Sequence, residues 1–251
     1  QNINLSGTVN TYSDGLAIKW KPSYFLLNQK RWDINNGGEI SLRKNNVFAK
    51  DVKFSQGIQE LLLTSAKDNN LQLELNDIIL GDITKLFFRY PQLEGVTNGT
   101  VYLKNVLDNF ELSSDLNIDQ FSFNNEVVGL TNLNAAYNNK TGIVPFSFDI
   151  PNKAYNLSAE GTYNTKDSTN PLDATLYLNH SKFSLVEQFI GGVLTNLEGE
   201  ADGKIHFGGR IENPVLLGSA SIQDASIKVD YTKVRYFIKE ATIQFTNEGM
   251  D

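Results

Sequence analysis

The chain has 251 residues, 40% hydrophobic and 20% charged, with a formal net charge of −7. That length allows one large domain or two small ones, and the interspersed charges, with no Lys/Arg run, argue against a nucleic-acid partner. Cysteine is absent, which excludes disulfides and thiolate metal sites, and no apolar run reaches the ~20 residues of a membrane-spanning helix.

The chain begins at Gln1 with neither an initiator methionine nor a signal-peptide pattern, and reads as a piece of a longer protein. From there it is β almost throughout. Short runs alternate with period two, the mark of strands with one wet face. Residues 1–70 hold several such runs, broken at Asn35, Asn36, Gly37 and Gly38. Leu71, Leu73 and Leu75 then alternate with Gln72, Glu74 and Asn76. Next, Ile83, Leu86, Phe87 and Tyr90 are spaced as a helical stripe, with Asp82 as its N-cap, which predicts a short amphipathic helix over 82–90.

Strands resume with LEGVTNGTVYL (Leu93 to Leu103) and continue past joints at Asn124-Asn125 and Asn138-Asn139. Val144, Phe146, Phe148 and Ile150 share one parity; Leu157, Leu176 and Leu178 sit on apolar parities of later runs. Ser184 and Glu187 have capping-box spacing before a second amphipathic helix near 184–194, with Leu185, Phe189 and Val193 on one side. LEGEADGKIHF (Leu197 to Phe207) follows, then alternation through Ile227, Val229, Ile243 and Phe245. Antiparallel strands with one solvated face are expected, roughly 15–20 of them at five to six residues each.

The two L-E-G stretches stand 104 positions apart at Gly95 and Gly199, and the same offset aligns Asn109 with Asn213, Leu112 with Leu216 and Ile118 with Ile222. A repeat of about 104 residues follows: 1–70 as the last strands of a preceding unit, 71–174 as a full unit, 175–251 as a truncated one. Asn98-Gly99 and Asp202-Gly203 look like hairpin turns. A turn there would discard the face on which Gly199, Ala201, Gly203, Ile205 and Phe207 fall together, so each stretch is expected to be one unbroken strand. Gly95, Gly99, Gly199 and Gly203 then form a low floor on which the preceding helix packs.

Catalytic chemistry is missing. His180 and His206 fall on polar strand positions, carboxylates alternate outward, Gly191-Gly192 and Gly208-Gly209 lack phosphate-binding context, and no metalloprotease, P-loop or nucleophile-elbow motif occurs. The expectation is a non-enzyme with no metal and no cofactor. What remains is a one-sided apolar face. Its expected lining is Val101, Leu103, Leu116, Ile118, Phe121, Phe123, Val144, Phe146, Phe148, Leu157, Leu176, Leu178, Ile205, Phe207, Ile222, Ile227, Val229, Ile243 and Phe245. Such a face either closes as a core or forms a gutter for acyl chains, each buried CH₂ being worth about 0.8 kcal/mol.

From Leu197 the chain shows L-x-G-x-x-x-G, a glycine at 208, Asn213-Pro214 and Gly218, followed by Tyr236 and an Ile243–Phe245 strand. This resembles the TamB/AsmA-like family in its Bacteroidota form, and upstream Trp32 to Gly38 and Phe54 to Gln59 resemble further units. The first repeat departs, with Phe110 and Ser114 in place of the proline and glycine. The resemblance implies an elongated, strongly bent antiparallel sheet, the β-taco, with an open hydrophobic groove. It also implies a periplasmic bridge anchored in the inner membrane through regions outside this stretch. Its groove would carry phospholipid between the membranes, and the resemblance also implies a TamA/BamA-type outer-membrane barrel as a partner. Two alternatives stay open: a scaffold for outer-membrane β-barrel assembly or secretion, and a β-sandwich carbohydrate-binding module with Trp20 and Trp32 as exposed aromatics.

Overall fold

A computed structural model describes residues 3–86, 92–188, 194–211, 213–247 and 249–250. Within them the chain is mainly β. The first nine strands are β1 Gly7–Tyr12, β2 Gly15–Trp20, β3 Ser23–Leu27, β4 Lys30–Ile34, β5 Glu39–Arg43, β6 Asn46–Lys50, β7 Val52–Gln56, β8 Gln59–Ser65 and β9 Leu71–Ile79. A one-turn helix, α1 (Leu80–Thr84), leads to β10 Leu93–Lys104, β11 Glu111–Phe123, β12 Glu126–Asn138, β13 Ile143–Ile150, β14 Leu157–Asn164 and β15 Leu172–Lys182. A 3₁₀ segment (Phe183–Gln188) precedes β16 Leu194–Arg210, β17 Asn213–Val229, β18 Val234–Thr246 and the two-residue β19 Gly249–Met250.

Strand order in the larger sheet is β19-β18-β17-β16-β15-β14-β13-β12-β11-β10-β9-β8-β7-β4-β3, open at both ends. From β7 onward sequence neighbours are sheet neighbours, as hairpin connections dictate. Several joints are two-residue turns with both central residues left-handed: Asn28-Gln29, Lys44-Asn45 and Asn124-Asn125. That geometry matches strand twist, and Asn tolerates it best.

A second sheet, β1-β2-β5-β6, was not foreseen. Residues 1–70 are expected to be the last strands of a preceding unit in one elongated sheet, but the chain switches sheets after β2, after β4 and after β6. The corners are stitched by polar groups. Asn35 Nδ2 donates to the Asp51 carbonyl (3.1 Å) and its Oδ1 accepts from Lys53 N (2.9 Å). Asp51 itself is left-handed, and a Cβ at Gly38 would lie 2.8 Å from the Asp51 oxygen.

By compactness the chain forms two units, 1–119 with 134–142 and 120–133 with 143–251. The core of the first gathers Ala49, Val52 and Leu71, with Trp20, Phe54, Leu63 and Leu103 against them. Trp32 is buried and stacks on Phe25 (6.5 Å), which meets Phe54 edge-on. The core of the second is larger and runs from Val128 and Ile150 through Leu178 and Ile205 to Ile222, Ile227 and Phe245.

Neither predicted helix stands as drawn over its described residues: the first is α1, ending at Thr84, and 183–188 is 3₁₀. Asp82 is not an N-cap: Ile79 holds that position without a side-chain bond, and Asp82 pairs with Lys30. Leu86 follows the helix and is exposed; Phe87 and Tyr90 lie outside the described residues. The capping box is not made either. Ser184 Oγ donates to Glu126 and Glu187 accepts from Leu197 N, so each partner is spent on tertiary structure and the segment is 3₁₀. Phe189 and Val193 lie outside the described residues.

Candidate functional site

The inner face of the second unit is assembled by register. One row across the strands reads Phe146, Gly161, Ala174, Phe207, Leu216. The next reads Phe148, Ala159, Leu176, Ile205, Gly218, Phe245, and the next Ile150, Leu157, Leu178, Gly203, Ala220, Ile243. Between them, on the other face, stand Ser147, Asp149, Glu160, Asp173, Lys204, Ser219 and Gln244, none of them buried. Alternation has produced one apolar and one polar side, as the pleat requires.

Small residues sit on the apolar side for a geometric reason. A Cβ built on Gly161 would stand 2.6 Å from the Cβ of its partner Ala174; one on Gly203 would stand 3.0 Å from that of Ala220. Ordinary cross-strand Cβ atoms are about 4.5–5.5 Å apart. These strands therefore tilt toward one another on the inner side, which makes that side locally concave. In the first unit a Cβ at Gly99 would meet the Asp115 carbonyl oxygen at 2.2 Å, so no larger residue fits there either.

This changes what the L-E-G glycines do. Each stretch is one continuous strand, β10 or β16, with no turn at Asn98-Gly99 or Asp202-Gly203. Helical segments do reach the beginnings of these strands. Thr84 Oγ1 donates to the Leu93 carbonyl (3.3 Å), and Leu197 N donates to Glu187 (3.1 Å). Yet the space above Gly99, Gly199 and Gly203 is filled by the backbone of the next strand, with Ala225 Cα 2.7 Å from where a Cβ on Gly199 would stand. Gly95 is left-handed and half-buried. The floor is cut low for a neighbouring strand.

Asn98 and Asp202 also have a task. The ladder slips beside each: β9 bulges at Asp77, and β15 at Asn179-His180. Asp77 and His180 are left-handed, and their N–H groups are taken by Asn98 Oδ1 and Asp202 Oδ1, both at 2.8 Å. A bulge leaves one amide without a ladder partner; here a side chain from the facing strand supplies it.

None of the predicted lining residues is exposed, but they divide. Ile118, Leu157, Leu178, Ile205, Ile222, Ile227 and Phe245 are buried. Val101, Leu103, Leu116, Phe121, Phe123, Val144, Phe146, Phe148, Leu176, Phe207, Val229 and Ile243 are half-buried. In the second unit the filling is polarised. Phe183 (0% exposed), Leu197 and Ala225 pack into one end of the inner face with Ile222 and Ile227. The end lined by Val144, Phe146, Phe207 and Leu216 keeps its apolar groups partly open.

The filled end is held by Glu126. Its Oε1 accepts from Tyr155 Oη (2.8 Å) and Ser184 Oγ (2.7 Å), tying β12, the loop before β14 and the 3₁₀ segment together. Burial, then the hydrogen bond and the charge of Glu126, push the Tyr155 hydroxyl up to about 12. Asn152 buttresses the loop by bonding the Val128 carbonyl and accepting from Ala154 and Tyr155 amides. No sequence motif marks this cluster, in which Tyr155 and Ser184 stand 29 and 58 positions from Glu126.

No known protein family, curated protein or solved structure matches the chain. Among the described residues no group of three or more His, Asp or Glu side chains could hold a metal, and no helix is long and apolar enough to cross a membrane. Sequence reading placed possible exposed aromatics at Trp20 and Trp32. Trp32 is buried and Trp20 packs beside the first core. The prominent exposed rings are Tyr231, Tyr236 and Phe237, at the β17–β18 hairpin tip. Consecutive aromatics at 236–237 break the alternation and were the available signal.

Proposed function

We propose that the inner face of the second unit holds phospholipid acyl chains at its unfilled end, within a TamB/AsmA-like periplasmic bridge that passes lipid between membranes. The observation that carries this is the half-buried row of Phe146, Phe207 and Leu216, continuous with a dry core on one side and backed by polar residues on the other. Head groups would stay in water at the open end. The 3₁₀ segment and its Glu126 tie would bound the depth to which chains enter.

The repeat is part of the proposal. Left-handed residues recur at matching places: Asp77 and His180, Gly95 and Gly199, Asn105 and Gly209, Gln120 and Asp224. The Gln120 and Asp224 kinks explain a shift of apolar parity, from Leu116 and Ile118 to Phe121 and Phe123, and from Ala220 and Ile222 to Ala225 and Ile227. These correspondences support two units of one design.

The test is photo-crosslinking. A crosslinker at Phe146 or Phe207 should capture phospholipid, and one at Glu160 or Lys204 should not. Equal capture at both pairs would sink the groove reading. The assembly-scaffold alternative draws support from β18, whose pairing with β19 among the described residues covers Phe245 and Thr246; a client strand could add along the rest of that edge. Prolines along that edge should then abolish client binding and leave lipid capture intact.

A further inference from the structure

We infer that the β17–β18 hairpin tip docks on the surface of an anionic phospholipid bilayer. Tyr231 is 97% exposed and Phe237 81%, with Val234 and Tyr236 also exposed beside them. Neighbouring strand residues point to opposite faces, so Tyr236 and Phe237 place bare rings on both sides of the hairpin. Another strand along the edge of β18 would cover neither face. Leaving such rings in water is unfavourable, whereas the bilayer interface accepts aromatic side chains.

The charge of the tip selects the occupant. From Lys228 to Lys239 the hairpin carries Lys228, Lys233, Arg235 and Lys239 against Asp230, with Glu198 of β16 beside Arg235 and Glu240 just beyond, a local excess of cations in a chain whose formal net charge is −7. The cations are loosely engaged. Lys233 lies 3.5 Å from Asp230 and Arg235 lies 3.6 Å from Glu198, both in solvent-accessible pairs of the kind that contribute little to folding. Rings that insert at head-group depth, flanked by basic groups that meet phosphates, are the requirements of an interfacial anchor. The other exposed apolar edge, Ile3, Leu5 and Val9, has no comparable basic cluster.

The anchor lies toward the other end of β17 from the proposed acyl-chain site, although Tyr236, paired with Ile227, is on the same side of the sheet. Leu216, beside Phe207, and Ser226, beside Phe237, are ten positions apart on β17, or roughly 33 Å.

The experiment is flotation of the chain with phosphatidylethanolamine–phosphatidylglycerol vesicles, compared with phosphatidylcholine vesicles. The wild type should float with the anionic vesicles, and high salt should release it. Tyr231→Ser combined with Phe237→Ser should weaken binding about 10-fold or more, as should Lys233→Glu with Lys239→Glu. Tyr102→Ser, at another exposed ring, should change nothing. All these positions are solvent-exposed, so unchanged circular dichroism is expected. No flotation of the wild type, equal binding to phosphatidylcholine, or equal binding by the tip variants would overturn the proposal. So would tip variants that alter only the oligomeric state, which would make the tip a contact between copies. Lipid crosslinking at Phe146 and Phe207 should survive the tip variants, so failure of one reading leaves the other standing.

Discussion

The strands β10 and β16 share a backbone device and differ in what covers them. In both, a polar side chain pins a bulge in the preceding strand, and a glycine one position later lets the following strand approach. Beyond that they diverge. Ile205 in β16 is 1% exposed beneath a core that includes Phe183, while Val101, its counterpart in β10, is half-buried. The preceding helical segments are anchored differently too. α1 relies on Asp82 with Lys30 and on the exposed Lys85–Glu94 pair, whereas the 3₁₀ segment inserts a buried ring and ties itself to Glu126. Local geometry can thus be the same while packing buries Ile205 fully and leaves its counterpart Val101 half-buried.

The largest test of that contrast is truncation. Ile205→Ala removes buried methyl groups from a tightly packed site and should cost about 3 kcal/mol. Val101→Ala, at a half-buried position, should cost about 1 kcal/mol. Urea unfolding of the two variants checks the difference, and equal losses would show that the two faces are packed alike.

The strands were legible because alternation is a local property, and the long run from Leu197 to Phe207 could be told from a turn by its parity alone. The bulges were not legible. Asp77 and His180 are ordinary polar residues in sequence, and the partner that makes each tolerable stands on another strand, 21 or 22 positions away. The capping box was misread for a related reason: Ser184 and Glu187 have the right spacing, but Glu126 and Leu197 compete for them and win. The lining could be drawn up as a face. Its division into a filled and an open end depends on Phe183, which no period predicts.

Alkaline pH should separate the two anchors. The Tyr155 hydroxyl titrates at about 12 in the folded chain against 10.0 for an unperturbed tyrosine. The folded state therefore holds this proton more tightly, and its stabilisation is complete below pH 10 and is lost as pH rises toward 12. The loss is on the order of 2 kcal/mol. Tyr155→Phe should flatten this part of the pH profile, read by unfolding at a series of alkaline pH values. A profile unchanged by the substitution would mean that the Glu126 tie does not hold the filled end.

The smallest effect concerns the shared device itself. Asn98→Ala and Asp202→Ala each leave a bulge amide without its side-chain acceptor, at about 1 kcal/mol apiece. The exchange variants Asn98→Asp and Asp202→Asn keep an Oδ1 in place and should be close to neutral, since Asp77 N and His180 N need an acceptor and not a charge. Amide hydrogen exchange at 77 and 180 reads the effect directly: faster in the alanine variants, unchanged in the exchange variants. If Asp202→Asn alone accelerated exchange at His180, the 3.1 Å approach of its ring Nδ1 to Asp202 would be carrying charge as well as geometry. The two bulges would then be held by different forces despite their common form.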